Sequence, residues 1–337
     1  MYKNNLAKYA DKTRFLDFYG SLRRKISKSQ VIILVYHRIG PMTDKWSVNP
    51  MLHHDLFEGQ MDYFSKNFEI ISLNNLSEMI ARGTIPEKAV VITFDDGYKD
   101  NYEVAFPILK KYNVPATIFL ATGSIEQKKL FWWDLVNYAL FNTDMESIDM
   151  DAIGTYQLNS DEDKSKAGLN IQEKLKKMDN NKKEFVIDEL INLTDVNVPE
   201  KLGKKYILSW NEINKMNKNG IDFGSHTVNH PILTNISLDE AKWEIENSKS
   251  CIEENIGTDV KSFAYPNGDF NQRISSLVEN LGFTSSVSVY PMRPIKNSVK
   301  ELYQLNRINA TIKDLNILKL YLCGLRGDLN TIFKFKN

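Results

Sequence analysis

Two short segments of this chain carry the residue types that bind a metal ion and transfer a proton. Segment 93–97 reads Thr-Phe-Asp-Asp-Gly, and segment 226–230 reads His-Thr-Val-Asn-His. Two histidines and one carboxylate form a common ligand set for a catalytic dication such as zinc, which keeps one coordination position open. One carboxylate of the pair Asp95 and Asp96 would then remain for proton transfer.

The adjacent carboxylates need a neutralising charge. They follow the apolar run 89–92, and like charges at contact distance repel unless a cation or an arginine neutralises them. Adjacent residues at an extended strand end point to opposite sides, so one carboxylate is expected to bind the metal while the other faces the substrate. Gly97 would let the chain turn sharply. Taken alone the pair also fits an acidic loop cluster, but the two histidines favour a metal site.

The spacing of His226 and His230 has more than one interpretation. Alone, the two residues could be a pair on one helix face or satisfied loop residues. Gly224 and Pro231 bracket the segment, which predicts a tight loop in which Thr227 hydrogen-bonds and holds both imidazoles. Such supporting hydrogen bonds fix which ring nitrogen meets a metal.

Short β-rich runs alternate with helical patterns, which predicts parallel strands joined by crossover helices. The runs are 31–35, 90–94, 116–120, 221–223, 262–264, 283–289 and 306–310. Ser209 with Glu212 and Ser237 with Glu240 are capping boxes at helix starts. Several runs end in polar residues, and active sites of strand–helix barrels lie at the carboxyl ends of the strands. The polar residues are therefore predicted to meet at one mouth.

Two regions stand apart from this alternation. Residues from about 125 to 206 read as helices and charged loops without a strong strand, which predicts a helical insertion over or beside the site. It opens with Phe-Trp-Trp-Asp at 131–134, either a core anchor or a platform for stacking a sugar. Segment 1–30 is expected to be helical, its apolar face packing on the domain or lying on a membrane. Residues 31–337 would form the catalytic domain.

The two motifs in combination resemble those of the polysaccharide deacetylase family, the NodB-homology domain of carbohydrate esterase family four. The resemblance extends over about residues 31–310, apart from the insertion. It implies an α/β fold, a distorted (β/α)7 barrel, with a divalent ion, expected to be Zn²⁺. The implied activity is hydrolysis of N-acetyl groups on amino sugars of a polysaccharide or an oligosaccharide intermediate. By residue-by-residue match, Asp95 is implied to be the general base and Asp96, His226 and His230 the metal ligands.

The third family motif is altered. Segment 263–268 has Ala264 and Asn267 where family members carry an arginine and a tyrosine. A backbone N–H near Asn267 is still expected to stabilise the oxyanion, because that role needs no side chain. Arg307 is expected to replace the missing arginine by pairing with Asp95 and holding it ionised.

The general acid that many members place late in the chain is also missing, because no histidine follows His230. His37 is the expected proton donor, an arrangement that resembles exopolysaccharide deacetylases; the alternative is a structural hydrogen bond. His53 and His54 precede an amphipathic helix and are expected to be surface or capping residues. Two other functions remain open: an amidase for a smaller amide, and a catalytically weak glycan-binding module.

Composition limits the partners and the compartment. Lys+Arg and Asp+Glu both total 43, so no overall basic field favours nucleic acid. Cys251 and Cys323 lack the spacing of a redox or zinc motif. No window has the length of a transmembrane span, and the first residues do not read as a signal peptide. We expect a cytoplasmic protein that acts on an N-acetylated glycan, with peripheral contact to a lipid-linked glycan as one option.

Overall fold

A barrel of parallel strands forms the centre of the structure. The structure is a computed structural model that describes residues 31–41, 44–47, 51–289 and 299–322. Its strands are β1 Ile32–Tyr36, β2 Arg38–Ile39, β3 Met51–Leu52, β4 Glu69–Ile70, β5 Ala89–Phe94, β6 Ala116–Leu120, β7 Ser147–Met150, β8 Gly154–Gln157, β9 Ile221–Ser225, β10 Ser262–Ala264, β11 Ser285–Ser288, β12 Leu305–Asn306 and β13 Ile308–Asn309. The barrel strands follow the order β12-β11-β10-β9-β6-β5-β1-β13, and β4 extends the sheet beside β5.

Helices cover the outside of this barrel. They are α1 His54–Asn67, α2 Leu73–Arg82, α3 Phe106–Lys111, α4 Thr122–Gln127, α5 Trp132–Asn142, α6 Asp161–Leu175, α7 Asn180–Leu193, α8 Gly203–Tyr206, α9 Trp210–Asn217, α10 Leu238–Ile256, α11 Gln272–Asn280 and α12 Leu315–Leu322. Every residue of β5 is buried, as expected for a parallel strand that is covered on both faces. Both predicted capping boxes are present, at the starts of α9 and α10.

The barrel is closed through a single residue. Leu305 in β12 pairs with Val287, and Ile308 in β13 pairs with Leu34 on the opposite sheet edge. Arg307 lies between these two short strands, so the predicted strand 306–310 is in fact split in two. With this segment counted once the barrel has seven strand positions, which confirms the predicted distorted (β/α)7 barrel.

The segment 125–206 has a hydrophobic core of its own, separate from the barrel core. The sequence predicts helices and no strong strand here, and the structure adds one short antiparallel hairpin, formed by β7 and β8. Ile148 and Met150 are buried while Ser147 and Asp149 are exposed. This alternation is the signature of a strand, but it covers too few residues to stand out among the neighbouring charged helices.

Some sequence expectations lie outside the described residues. These are the predicted helix in segment 1–30 and the thiol of Cys323. Among the described helices, none combines the length and the apolar character that crossing a membrane requires.

Candidate metal centre

Three predicted metal ligands meet at the carboxyl ends of β5 and β9. The Nε2 atoms of His226 and His230 lie 3.1 Å apart, and they lie 3.7 and 3.6 Å from Oδ1 of Asp96. Donor atoms bound to one dication at about 2.0 to 2.2 Å would lie about 3 to 3.6 Å apart. The three side chains are therefore arranged to converge on one ion. A second cluster, at residues 53–55, is surface-exposed and forms the start of α1.

The Asp95–Asp96 pair diverges by a backbone turn. The expectation that strand alternation separates the two carboxylates is wrong, because β5 ends at Phe94 and Asp96 has a left-handed backbone with φ of 74°. Gly97 follows with φ of 77°, and a Cβ there would lie 2.8 Å from Leu120. A left-handed aspartate costs conformational energy, so the surrounding barrel must hold Asp96 in its ligand position.

The histidine loop is held by hydrogen bonds from two residues. Thr227 Oγ1 accepts a hydrogen bond from the backbone N–H of His230 at 3.0 Å, as the sequence predicts. Glu244 on α10, which sequence reasoning missed, accepts bonds from the backbone N–H groups of Val228 and Asn229 at 2.8 Å each. The available signal was its position three residues after Ala241 and next to Ile245, on the inward face of α10. These bonds fix a loop in which His230 has φ of 54°.

The backbone of the altered third motif orients one ligand. His226 Nδ1 lies 2.7 Å from the carbonyl oxygen of Ala264. Because a carbonyl only accepts, Nδ1 must carry the proton, and Nε2 presents its lone pair toward the other ligands. The missing motif arginine therefore does not prevent this strand from supporting the metal ligand.

Electrostatics at the triad fit a divalent ion. Burial, followed by the charge of Asp95, raises the pKa of Asp96 well above its usual value. Burial lowers the pKa of His226 to about 4, and burial together with His226 lowers the pKa of His230 well below its usual value. Both imidazoles are therefore neutral and have lone pairs to donate, while a dication would favour the ionised form of Asp96.

Arg307 lies against Asp95, as the sequence predicts. Its Nη1 and Nη2 atoms donate to the two carboxylate oxygens of Asp95 at 2.6 Å each, and Nη1 also donates to Thr93 Oγ1 at 3.1 Å. Burial by itself would raise the pKa of Asp95, but the guanidinium overcomes this effect and lowers it to about 2. Asp95 is therefore ionised at any ordinary pH.

The cavity above this centre has a volume of about 270 Å³, and both His37 and Asn267 line it. His37 Nδ1 is buried and has no hydrogen-bond partner among the described residues. Burial lowers the pKa of His37, and the charge of Asp95 partly opposes this. Asp95 is thus the nearby acid whose charge acts on His37, and the sequence did not identify it. Asn267 lies in a tight turn with φ of 58°.

Aromatic residues from the segment 125–206, the helical segment, complete the cavity wall. The ring of Trp133 is edge-on to His230 with centroids 4.7 Å apart and is stacked on Phe131 at 4.6 Å. Trp133 Nε1 donates to the hydroxyl of Tyr98 at 2.8 Å, which donates to buried Asp134 at 2.9 Å. Sequence reasoning missed this network, although the adjacent tryptophans were a signal. Trp133 is therefore anchored against His230, a predicted metal ligand.

Trp132 is less buried than its neighbour and faces the same cavity. It packs against both the barrel core and the core of the helical segment. Phe131 and Trp133 are therefore anchors, whereas the partly buried Trp132 lines the cavity with the ammonium of Lys183 over its ring. Sugar stacking stays a prediction for Trp132.

Comparison with known proteins identifies one family. A family model described as polysaccharide deacetylase matches residues 82–148 and 156–286, which is more than half of the chain and includes much of the segment 125–206. The Streptococcus pyogenes deacetylase PplD, solved in complex with acetate, is 22% identical with a TM-score of 0.58, over 86% of this chain and 97% of that one. IcaB from Ammonifex degensii is 17% identical with a TM-score of 0.57, over 88% and 98%. These likenesses show the fold.

Two curated relatives are similar over part of their lengths. The Bacillus subtilis (strain 168) protein YxkH, whose assignment as a polysaccharide deacetylase is provisional, is 22% identical over 257 residues, 76% of this chain and 64% of its own. The Staphylococcus aureus poly-β-1,6-N-acetyl-D-glucosamine N-deacetylase is 28% identical over 125 residues, 34% and 43% of the two chains. This chain thus spans less than two thirds of the length of each.

Proposed function

Because the chain belongs to the polysaccharide deacetylase family, we propose that it hydrolyses N-acetyl groups of amino sugars in a glycan. Asp96, His226 and His230 would hold the required divalent ion, expected to be Zn²⁺. The observation that carries the proposal is that this triad lines the same cavity as Asp95, whose carboxylate is paired with the buried Arg307. The Staphylococcus aureus relative, a poly-β-1,6-N-acetyl-D-glucosamine N-deacetylase, supports an N-acetylated glycan as the substrate class.

Asp95 is the proposed base. A dication, when bound, would supply Lewis-acid activation and lower the pKa of its bound water from 15.7 to about 7. A weak base could then remove a proton from that water. Arg307 occupies one lone pair on each carboxylate oxygen of Asp95, and the remaining lone pairs can accept the proton of the attacking water. The ion pair also keeps Asp95 from rotating.

Two further groups act on the substrate amide. The backbone N–H of Asn267, held in its turn by the hydrogen bond from Gly268 N to the Tyr265 carbonyl, is proposed to donate to the carbonyl oxygen as it gains negative charge. His37 is proposed to give a proton to the departing nitrogen as the carbon–nitrogen bond breaks. The products are acetate and a free amino sugar.

The test is acetate release from N-acetylglucosamine oligosaccharides by zinc-loaded protein. We expect turnover that a chelator abolishes and added zinc restores. Asp95→Asn is nearly isosteric and should keep bound metal while losing about 10²- to 10⁴-fold in kcat, the range for general acid–base catalysis. Undiminished turnover in this variant would refute the base assignment. Release from small amides alone would favour an amidase, and binding without release from any amide would favour a glycan-binding module.

A further inference from the structure

The cavity wall opposite the barrel contains a buried lysine. Lys183 lies in the first turn of α7, is 9% exposed and lines the same cavity as the metal ligands. Its Nζ donates to Asn180 Oδ1 at 2.9 Å and lies 5.3 Å from the centre of the Trp132 ring. The ammonium is thus held by one amide oxygen and one aromatic face.

No carboxylate oxygen of the described residues lies within 4 Å of this ammonium. The acids whose negative charges raise the pKa of Lys183 are Glu184 and Glu244. Glu244 is committed to the histidine loop through three hydrogen bonds, and Glu184 is exposed. Burying a charge without a close counter-ion is costly, so the position of Lys183 requires an explanation other than stability.

The carboxylates that line this cavity are Asp95 and Asp96. Arg307 neutralises the first, and the second is a ligand for the dication. The charge of Lys183 is therefore additional to the charges that balance the metal centre, and the loaded cavity would carry a net positive charge. Such a cavity attracts anionic groups.

The adjoining outer cavity is less suited to an anion. Its three carboxylates, Glu173, Asp179 and Asp269, outnumber its two lysines, Lys176 and Lys177. Lys176, which lies between the two cavities, is paired with Glu173 at 2.8 Å. An anionic group would therefore be better placed beside Lys183 than further out.

Aromatic contacts fix where Lys183 lies relative to the metal centre. Its ammonium lies over Trp132, which is edge-on to Trp133 at 5.4 Å, and Trp133 contacts His230. The charge of Lys183 still reaches His230 and lowers the pKa of that imidazole. Because Lys183 is neither one of the three predicted metal ligands nor the partner of Asp95, a group that it binds belongs to a part of the substrate next to the acetamide that is cleaved.

We propose that Lys183, with Asn180 and Trp132, forms a subsite for an anionic group, a carboxylate or a phosphate, carried next to the N-acetylated sugar. The indole of Trp132 would stack on the sugar face while the ammonium binds the anion. This inference rests on the proposed function, because it names the class of glycan that the same cavity selects.

The test compares three N-acetylglucosamine trisaccharides: a neutral one, one with a uronic acid and one with a phosphate monoester beside the acetylated sugar. We expect at least one anionic trisaccharide to exceed the neutral one in kcat/KM by about tenfold, as for a hydrogen bond to a charged group. The identity of the preferred trisaccharide shows whether the subsite binds a carboxylate or a phosphate. Lys183→Met should lose the preference and keep turnover of the neutral trisaccharide, while Lys182→Met, on the exposed face of α7, should keep the preference.

Equal rates for all three trisaccharides, or a preference that persists in Lys183→Met, would overturn the inference. If none is deacetylated, the proposed function fails, and calorimetric affinities for the same trisaccharides decide the subsite separately. Thermal unfolding checks the variant: a binding role predicts that Lys183→Met keeps or raises Tm, because a buried charge is removed. A clearly lower Tm together with unchanged selectivity would assign Lys183 to structure alone.

Discussion

The two sides of the cavity are built differently. On the barrel side, Asp95, His226 and Arg307 are almost fully buried and follow or interrupt strands whose ladders fix their backbones. On the helical side, Trp132 and Asn180 are only partly buried and belong to helices with a separate core. Groups that react must be held within a fraction of an ångström, whereas groups that select a substrate tolerate more freedom.

This difference suggests a division of roles between the two regions. The barrel side would determine whether the amide is cleaved, and the helical side would determine which glycan is accepted. Substitutions on the barrel side should therefore change metal content, kcat and the pH profile. Substitutions on the helical side should change KM and selectivity.

The largest effect is expected for His226→Ala. It removes a metal ligand, so the purified protein should contain less than stoichiometric zinc, and kcat/KM should fall at least about 10³-fold because several kcal/mol of charge stabilisation are lost. Zinc content by mass spectrometry and acetate release measure the two effects. His53→Ala, on the exposed start of α1, is the matched control and should retain both. Full zinc content in His226→Ala would contradict the ligand assignment.

His37→Gln should retain zinc and lose about 10²- to 10⁴-fold in kcat, as expected for loss of a general acid. Burial lowers the pKa of His37 below its usual 6.5. Because a general acid must hold its proton, the wild-type rate should fall as the pH rises through that lowered pKa. The pH–rate profile of His37→Gln should lack this fall. A wild-type rate in His37→Gln would leave His37 with only a structural role.

Arg307→Ala should change the acid side of the pH profile. Without the guanidinium, burial should raise the pKa of Asp95 from about 2, and activity should be lost at correspondingly higher pH. The depressed wild-type pKa contributes stability that is complete above the unfolded pKa and is lost as the pH falls through about 2. Leaving Asp95 buried and unpaired should destabilise the variant by about 3 to 5 kcal/mol.

Arg307→Lys is the matched control for this change. It keeps the positive charge but loses the two parallel hydrogen bonds. The fall in activity at low pH should therefore shift less than in Arg307→Ala. Identical pH–rate profiles in wild type and in folded Arg307→Ala would show that Arg307 does not set the ionisation of Asp95.

The smallest effect is expected for Trp132→Ala. If Trp132 stacks on a sugar, KM should rise about 3- to 10-fold with kcat nearly unchanged, because stacking stabilises substrate and transition state alike. Trp243→Ala, at an exposed tryptophan outside this cavity, serves as control. A lower Tm with unchanged KM would instead identify Trp132 as an anchor of the helical segment.

The sequence alone was sufficient for the parts of the site that depend on short-range order. The acid pair and the histidine pair each lie within five residues, and the strand–helix alternation predicts that their strand ends share one mouth. Arg307 was also predicted, because an arginine had to replace the one missing from the third motif. The hairpin β7–β8 was missed because its alternation is short.

The tertiary structure decided what depends on long-range packing. Asp96 reaches its ligand position through a left-handed turn that only the closed barrel can enforce. Glu244 meets the histidine loop from α10, and Lys183 meets the cavity from α7, contacts that the sequence of neither helix specifies. Local patterns specify which residues begin and end an element, but the packing of distant elements decides which side chain each element presents to the site.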